Sequence, residues 1–275
     1  MASDSFMERY GPTAFVTGAS SGIGLAFAEE LAERGLDLVL TARRIDRLEA
    51  LADQLTARHG VQVTTLDADL AEASAPAKLL QATEGIDVGL VISNAGFGVK
   101  GLHEAQDAAT LTDILMVNSH APMLLAHGFI PRLRGRGKGG LVFTSSVEGV
   151  IGGPYSAAYS SSKAMVIALG EALWGELAQT GIDVLTLCPA NTVSEAAARQ
   201  GLDPAKLGPA TPAREVAQLT LDNLVNGPTY FSSESYKLKL DEKLALPRQQ
   251  VLLDTAAAMR NLLALMDADT GAAQA

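Results

Sequence analysis

Thr17-Gly-Ala-Ser-Ser-Gly-Ile-Gly24 follows a short apolar run at 14–17, and a helical pattern extending to 34 begins at its second glycine. A tight turn directly after a strand calls for Gly18. Close approach of backbone to a pyrophosphate calls for Gly22, and Gly24 lets the helix lie against the strand. The helix N-terminus then offers free N–H groups and the positive end of its dipole to phosphate. An ordinary strand-turn-helix would also accept such glycines, so the context must decide. Short runs rich in β-branched and apolar residues recur at 37–41, 61–66, 88–93, 140–144 and 182–187, with a weaker one at 228–231. Longer helical stretches separate them at 45–59, 75–84, 108–133, 157–180 and 212–226. The strands are nearly continuous apolar runs, as expected when helices cover both faces of a parallel sheet. The pattern predicts an α/β fold of one doubly wound parallel sheet (a Rossmann fold) with about seven strands.

The 275-residue chain shows no Pro-, Ser- or charge-rich linker, which predicts a single domain over 1–275. Residues 190–211 are long for a connection and read as a substrate flap. Residues 232–267 read as a C-terminal helical extension, amphipathic from 241, with 268–275 a frayed tail. The net charge of −10 argues against a nucleic-acid or anionic-membrane partner. One basic run, Arg132-Leu-Arg-Gly-Arg-Gly-Lys138, reads as a solvated surface loop. A lone Cys188 in an apolar run reads as a buried thiol, excluding an intrachain disulfide or a paired-cysteine zinc site. His59, His103, His120 and His127 show no ligand-like clustering, so no metal is expected. Residues 1–11 carry Asp4 and Glu8 and do not read as a signal peptide, and no stretch reads as a membrane span, so a cytoplasmic protein is expected.

The second strand ends Leu40-Thr-Ala-Arg-Arg44. A site that prefers NAD would place a carboxylate here for the ribose 2′-hydroxyl; Ala42 and then Arg43 suit a 2′-phosphate instead. Capping of the next helix is the alternative use of both arginines, and Arg44 is the weaker candidate. NADP(H) is the expected cofactor. Tyr159 and Lys163, four residues apart, share one face of the helix at 157–180. A free phenol ionises near pH 10, too high for ready proton exchange, and a neighbouring ammonium would lower that value. A serine at the end of the preceding strand could hold a substrate oxygen beside the phenol.

Several motifs together show that roughly residues 12–232 resemble the short-chain dehydrogenase/reductase family. They are the 17–24 turn, Asp69-Leu70, Ser93-Asn-Ala-Gly96, Asn118, Ser146 thirteen residues before Tyr159, and the Tyr159/Lys163 pair. The resemblance implies a tetrad of Asn118, Ser146, Tyr159 and Lys163. In it Tyr159 exchanges the proton and Ser146 orients the substrate oxygen. Lys163 binds the nicotinamide ribose and tunes the tyrosine, and Asn118 holds a water that links Lys163 to solvent. The implied cofactor contacts are Gly18, Ser20, Ser21, Gly22, Ile23, Gly24, Arg43, Asp69, Leu70, Asn94, Ala95, Gly96, Tyr159, Lys163, Pro189, Thr192 and Ser194. Three departures matter: Ser93 stands where the family commonly has Asn, Ala190 where it commonly has Gly, and Ser194 where it commonly has Thr. The second puts the Thr192 and Ser194 contacts in question. Ser145 and Tyr155 read as decoys for the catalytic serine and tyrosine, with Tyr155 lining the pocket.

The function expected from these readings is an NADP(H)-dependent oxidoreductase. It would move a hydride between nicotinamide and a small-molecule ketone, aldehyde or secondary alcohol. Val147, Val150, Ile151, Pro154 and Tyr155 suggest an apolar pocket with no obvious charge-binding residue, favouring a neutral substrate. A non-catalytic NADP-binding sensor or scaffold on the same fold is the alternative, against which all four tetrad positions stand intact. An isomerase or dehydratase of the longer-chain branch would need more than the about 45 residues after Phe231. Homo-dimers or homo-tetramers are frequent in the family, and the small residues of 157–175 would permit close helix packing.

Overall fold

The computed structural model describes residues 3–195, 200, 203 and 209–272. Seven parallel strands form one sheet in the order β3-β2-β1-β4-β5-β6-β7. They are β1 Thr13–Thr17, β2 Asp37–Ala42, β3 Val63–Asp67, β4 Val88–Ser93, β5 Gly139–Thr144, β6 Ile182–Cys188 and β7 Thr229–Phe231. The chain winds outward from β1 to one edge, then returns to β4 and winds to the other, so the order reverses between β1 and β4. At such a reversal the loops at the strands' carboxyl ends part and leave a crevice.

Helices α1 Ser3–Tyr10, α2 Gly22–Glu33, α3 Ile45–His59 and α8 Ala213–Asp222 cover one face. Phe6, Tyr10, Phe27, Leu31, Leu48, Leu51, Val216 and Leu221 pack there against Val16, Leu38, Leu40 and Leu185. Helices α4 Ala75–Ala82, α6 Ala121–Arg136 and α7 Ala157–Leu177 cover the other. Leu79, Leu125, Phe129, Leu133 and Val166 meet Phe15, Val91, Leu141 and Phe143 on that side. Every residue of β1, β4 and β5 is buried, which explains why those strands read as unbroken apolar runs.

Five expectations need correction. The single helix expected at 108–133 is α5 Ala108–Leu115, a wide turn Met116–His120 with π-type hydrogen bonding, and then α6. The third strand begins at Val63, because Val61 is buried ahead of it rather than paired in the ladder. The basic run is no loop: Arg132 donates to the terminal carbonyls of α4 at Leu80 and Thr83, and Arg136 binds Asp87 and the Gly11 carbonyl. The C-terminal extension is two helices, α9 Glu234–Leu244 and α10 Arg248–Ala272, and helix continues where a frayed tail is expected from 268. Finally, α1 had no counterpart in the reading of 1–11. Its Phe6 and Tyr10 are fully buried, and the Tyr10 hydroxyl donates to Asp183 at 2.6 Å. Of the flap at 190–211, residues 196–199, 201–202 and 204–208 lie outside the described residues; its base is held by a short parallel bridge between Thr192 and Thr211. None of the helices among the described residues is long and apolar enough to cross a membrane.

Candidate active site

The carboxyl ends of six strands supply the site. Gly18 follows β1 at φ 70°, and its amide donates to the Thr41 carbonyl at 2.8 Å. Gly22 opens α2 at φ 59°, a conformation that costs other residues a steric penalty. A Cβ on Gly24 would stand 2.3 Å from the Gly18 carbonyl oxygen and 2.5 Å from the Asn94 amide nitrogen. The bare glycine is what allows α2 to reach the strand ends. No side chain caps the first turn of α2, so its amides are left for an anion. On that observation the turn fits a dinucleotide pyrophosphate.

Around the turn, Thr17 and Asn94 brace the crevice. The Thr17 hydroxyl accepts from the Asn94 and Ala95 amides at 2.9 and 3.0 Å. The Asn94 side chain donates to the Thr17 carbonyl and accepts from the Thr144 hydroxyl. Leu70 is buried beside Asp69, whose carboxylate lies 3.9 Å from the Arg43 guanidinium. Arg43 is 67% exposed and faces open solvent at the expected 2′-phosphate position. The weaker candidate, Arg44, is the more tightly built of the two. It donates to the Ser20 hydroxyl at 2.9 Å and the Ser21 hydroxyl at 2.8 Å, and it pairs with Glu195. Ser20 and Ser21 are therefore held in place by Arg44, a role the sequence reading did not give it. Ser194 stands over Gly22, 3.2 Å from where a Cβ would be.

The tetrad residues converge where β4, β5 and β6 end. Ser146 follows β5, and its hydroxyl accepts from the Glu148 amide. The preceding Ser145 donates to the Lys163 carbonyl at 2.7 Å, which makes it a tie between β5 and α7 and excludes it from the cleft. Pro189, after β6, accepts from the Val147 amide. Tyr159 lies against the backbone of Gly98, where a Cβ would come within 2.6 Å of its ring. One turn along α7, the Lys163 ammonium lies 5.7 Å from the centre of that ring and donates to the Thr144 carbonyl at 2.8 Å. Asn118 sits in the wide turn of Met116–His120, exchanges hydrogen bonds with the Phe97 amide and carbonyl, and donates to Ser162. Wide turns of this kind interrupt the helical ladder and are frequent at functional sites. Gly96 is wedged between the pair: a Cβ there would lie 2.9 Å from the Lys163 nitrogen and 3.1 Å from the Asn118 carbonyl oxygen.

The electrostatics differ from the expectation of a lysine-depressed phenol. Desolvation dominates, and Glu148 adds to it, so Tyr159 ionises above its ordinary value although the Ser146 hydroxyl pulls the other way. The same burial lowers Lys163 to about 8. Both groups are thus biased toward their neutral forms.

Three features of the cleft escaped the sequence. Lys100 and Glu148 form an ion pair at 2.6 Å beside Tyr159, within a region read as free of charge. Tyr155 adopts φ 63°, and its carbonyl accepts from Gly101, so the two loops framing the mouth are joined. Tyr236 of α9 faces Glu148, which together with burial raises its pKa.

Comparison with known proteins gives a consistent picture. The family model described as "short chain dehydrogenase" matches residues 12–204. A 7beta-hydroxysteroid dehydrogenase of Clostridium sardiniense is 30% identical over 249 residues, covering 90% of this chain and 95% of that protein. An "inactive hydroxysteroid dehydrogenase-like protein 1" of Mus musculus is 34% identical over 197 residues, 70% of this chain and 59% of its own length. A solved short-chain dehydrogenase from Sphingobium yanoikuyae in complex with NADPH superimposes with a TM-score of 0.79 at 33% identity, over 84% of this chain and 91% of that one. A solved short-chain dehydrogenase/reductase from Burkholderia phymatum in complex with NAD also matches, with a TM-score of 0.78 at 26% identity over 85% of this chain and 93% of that one.

Proposed function

Because the chain belongs to the short-chain dehydrogenase family, we propose that it is an NADP(H)-dependent oxidoreductase acting on a neutral ketone, aldehyde or secondary alcohol, with Tyr159 as its proton carrier. The observation that carries this reading is the convergence of the Ser146 hydroxyl and the Lys163 ammonium on Tyr159, against the loop of Gly96 and Gly98. When bound, the nicotinamide supplies the hydride for the carbonyl carbon and takes it back in the reverse direction. Ser146 orients the substrate oxygen, and the Tyr159 hydroxyl gives that oxygen its proton. The neutral phenol is the form that donates a proton in reduction. Lys163 holds the ribose hydroxyls and passes a proton toward the phenol, and Asn118 in the wide turn ties the loop at Phe97 to α7 at Ser162 beside it.

The inactive relative leaves a non-catalytic role open in this family. A screen of carbonyls and alcohols with NADPH and NADH separates the two readings: substrate-dependent NADPH oxidation supports the enzyme, and tight NADPH binding without turnover supports the sensor. The resemblance to a hydroxysteroid dehydrogenase supports placing bulky alicyclic ketones first in that screen.

NADP preference rests on the arginines. A charge-assisted hydrogen bond contributes about 1.5–3 kcal/mol, so Arg43→Ala is expected to weaken NADPH binding about ten- to hundred-fold while leaving NADH unchanged. Arg44→Ala, by releasing Ser20 and Ser21, should weaken both cofactors. Titration of cofactor fluorescence measures both constants. A preference for NADPH that survives Arg43→Ala would refute the assignment of that residue.

Lys163 predicts a pH dependence with a definite sign. Its proton is lost near pH 8, below the ordinary lysine value. As pH rises through that point a cation facing an anionic ligand disappears, so NADPH affinity should fall several-fold between pH 7 and 9.5. Lys163→Met should bind weakly at every pH in that interval. A flat profile in the unmodified protein would show that Lys163 stays charged or makes no contact.

A further inference from the structure

Lys100 follows β4 in the loop at 94–102, and its side chain is only 3% exposed. Its ammonium has three donors, and all three are used: the two carboxylate oxygens of Glu148, at 2.8 and 2.6 Å, and the Ser156 hydroxyl at 2.9 Å. The ammonium also lies 5.6 Å from the centre of the Tyr159 ring, as near as Lys163 at 5.7 Å. Burying such a pair gains little stability over apolar packing of the same volume, whereas removing one partner strands a charge. Among the described residues, the groups facing Tyr159 are Lys163 from its own helix, Ser146 and Glu148 from the turn after β5, Lys100 from the loop after β4, and Cys188 from the end of β6. The Glu148 charge also acts on Tyr236 of α9. Glu148 is the one carboxylate in that set, and Lys100 is its counter-ion.

We infer that Lys100 is a positioning residue for the Tyr159 phenol, cancelling the charge of Glu148 beside it and pinning together the two loops that frame the cleft. The inference rests on Tyr159 being the proton carrier. It accounts for a carboxylate standing next to a phenol that must ionise in the oxidative direction. With Lys100 in place the Glu148 charge is offset in part and raises the phenol less than burial does; without it, the phenol faces the full charge of a carboxylate that is one-third exposed.

The test is the pH profile of kcat/KM for alcohol oxidation in Lys100→Met, Glu148→Gln and the double variant, each first shown to bind NADPH. Lys100→Met should move the ascending limb to higher pH by about one unit, the lower end of what a nearby charge does. Glu148→Gln, which leaves the ammonium uncancelled, should move it to lower pH, and the double variant should return toward the parent. A tie between loops alone predicts weaker substrate binding or a lower melting temperature with no opposed movement of the limbs; that result overturns the inference. Should Lys100→Met fail to fold, Glu148→Gln decides alone, and an unmoved limb there is equally fatal. Spectrophotometric titration of the NADP+ complex, whose nicotinamide cation favours the phenolate, taken as the difference from the same background carrying Tyr159→Phe, gives a readout that does not need turnover. There Glu148→Gln should lower the pH at which the phenol ionises. This separates the inference from the role of Tyr159 itself, which fails only if Tyr159→Phe keeps its activity.

Discussion

Tyr159→Phe is expected to abolish carbonyl reduction by about 10³-fold, within the range that proton transfer by a positioned group supplies, while NADPH affinity and melting temperature stay within a factor of two and a few degrees of the parent. The distinction follows from where the ring sits. Its plane packs on the backbone at Gly98 and under two ammonium groups, contacts that phenylalanine keeps. Only the hydroxyl is lost, and with it the one acidic proton aimed at the position Ser146 prepares for a substrate oxygen. A variant retaining a tenth or more of parental kcat/KM would show that another group delivers the proton. Equal losses of NADPH affinity and activity would instead assign Tyr159 a part in cofactor binding.

The second large effect is expected at Gly24. A methyl group there meets the Gly18 carbonyl oxygen at 2.3 Å, the Gly18 carbonyl carbon at 2.8 Å and the Asn94 amide nitrogen at 2.5 Å. Two of these atoms are backbone in a turn already fixed by the Thr41 carbonyl, and the third is held by Thr17 and Thr144. None can yield, so Gly24→Ala must push α2 off the strand ends. The displacement carries away the uncapped amides and breaks the Asn94 brace together. NADPH binding should fall by two orders of magnitude or beyond detection, with circular dichroism still showing a folded chain, because most of α2 stays packed through Phe27 and Leu31. An unchanged dissociation constant would mean that the turn does not carry the pyrophosphate.

The parts of the site written in short contiguous motifs were legible in the sequence. The 17–24 turn, Asn94, Ser146, Tyr159 and Lys163 all lie at the carboxyl ends of strands or on the first turns of α7, where local spacing fixes their placement. Elements that depend on distant partners were not. Lys100 and Glu148 are 48 residues apart in sequence and meet only because β4 and β5 are neighbours in the sheet. The Glu148 charge acts on Tyr236 of the C-terminal extension, a pairing that no motif announced. The wide turn at Met116–His120 has ordinary helical composition, so a single helix was the reasonable reading. Arg44 looked like a helix cap, and its hold on Ser20 and Ser21 becomes visible only when the turn folds back over the end of β2. The charge state of the tetrad was misjudged for a related reason: four-residue spacing puts an ammonium near a phenol, but how far water is excluded from both depends on β4, β5 and β6 closing around them. Burial then outweighs attraction, raising Tyr159 and lowering Lys163.

Hydride transfer itself is tested most directly by supplying NADPH deuterated at the transferable position of the nicotinamide and examining the alcohol formed from a bulky alicyclic ketone by mass spectrometry and NMR. The account predicts one deuterium on the carbinol carbon, of a single configuration, in product made by the parent protein, formed about 10³-fold more slowly by Tyr159→Phe. Tight NADPH binding with no labelled product from any carbonyl in the panel would contradict it.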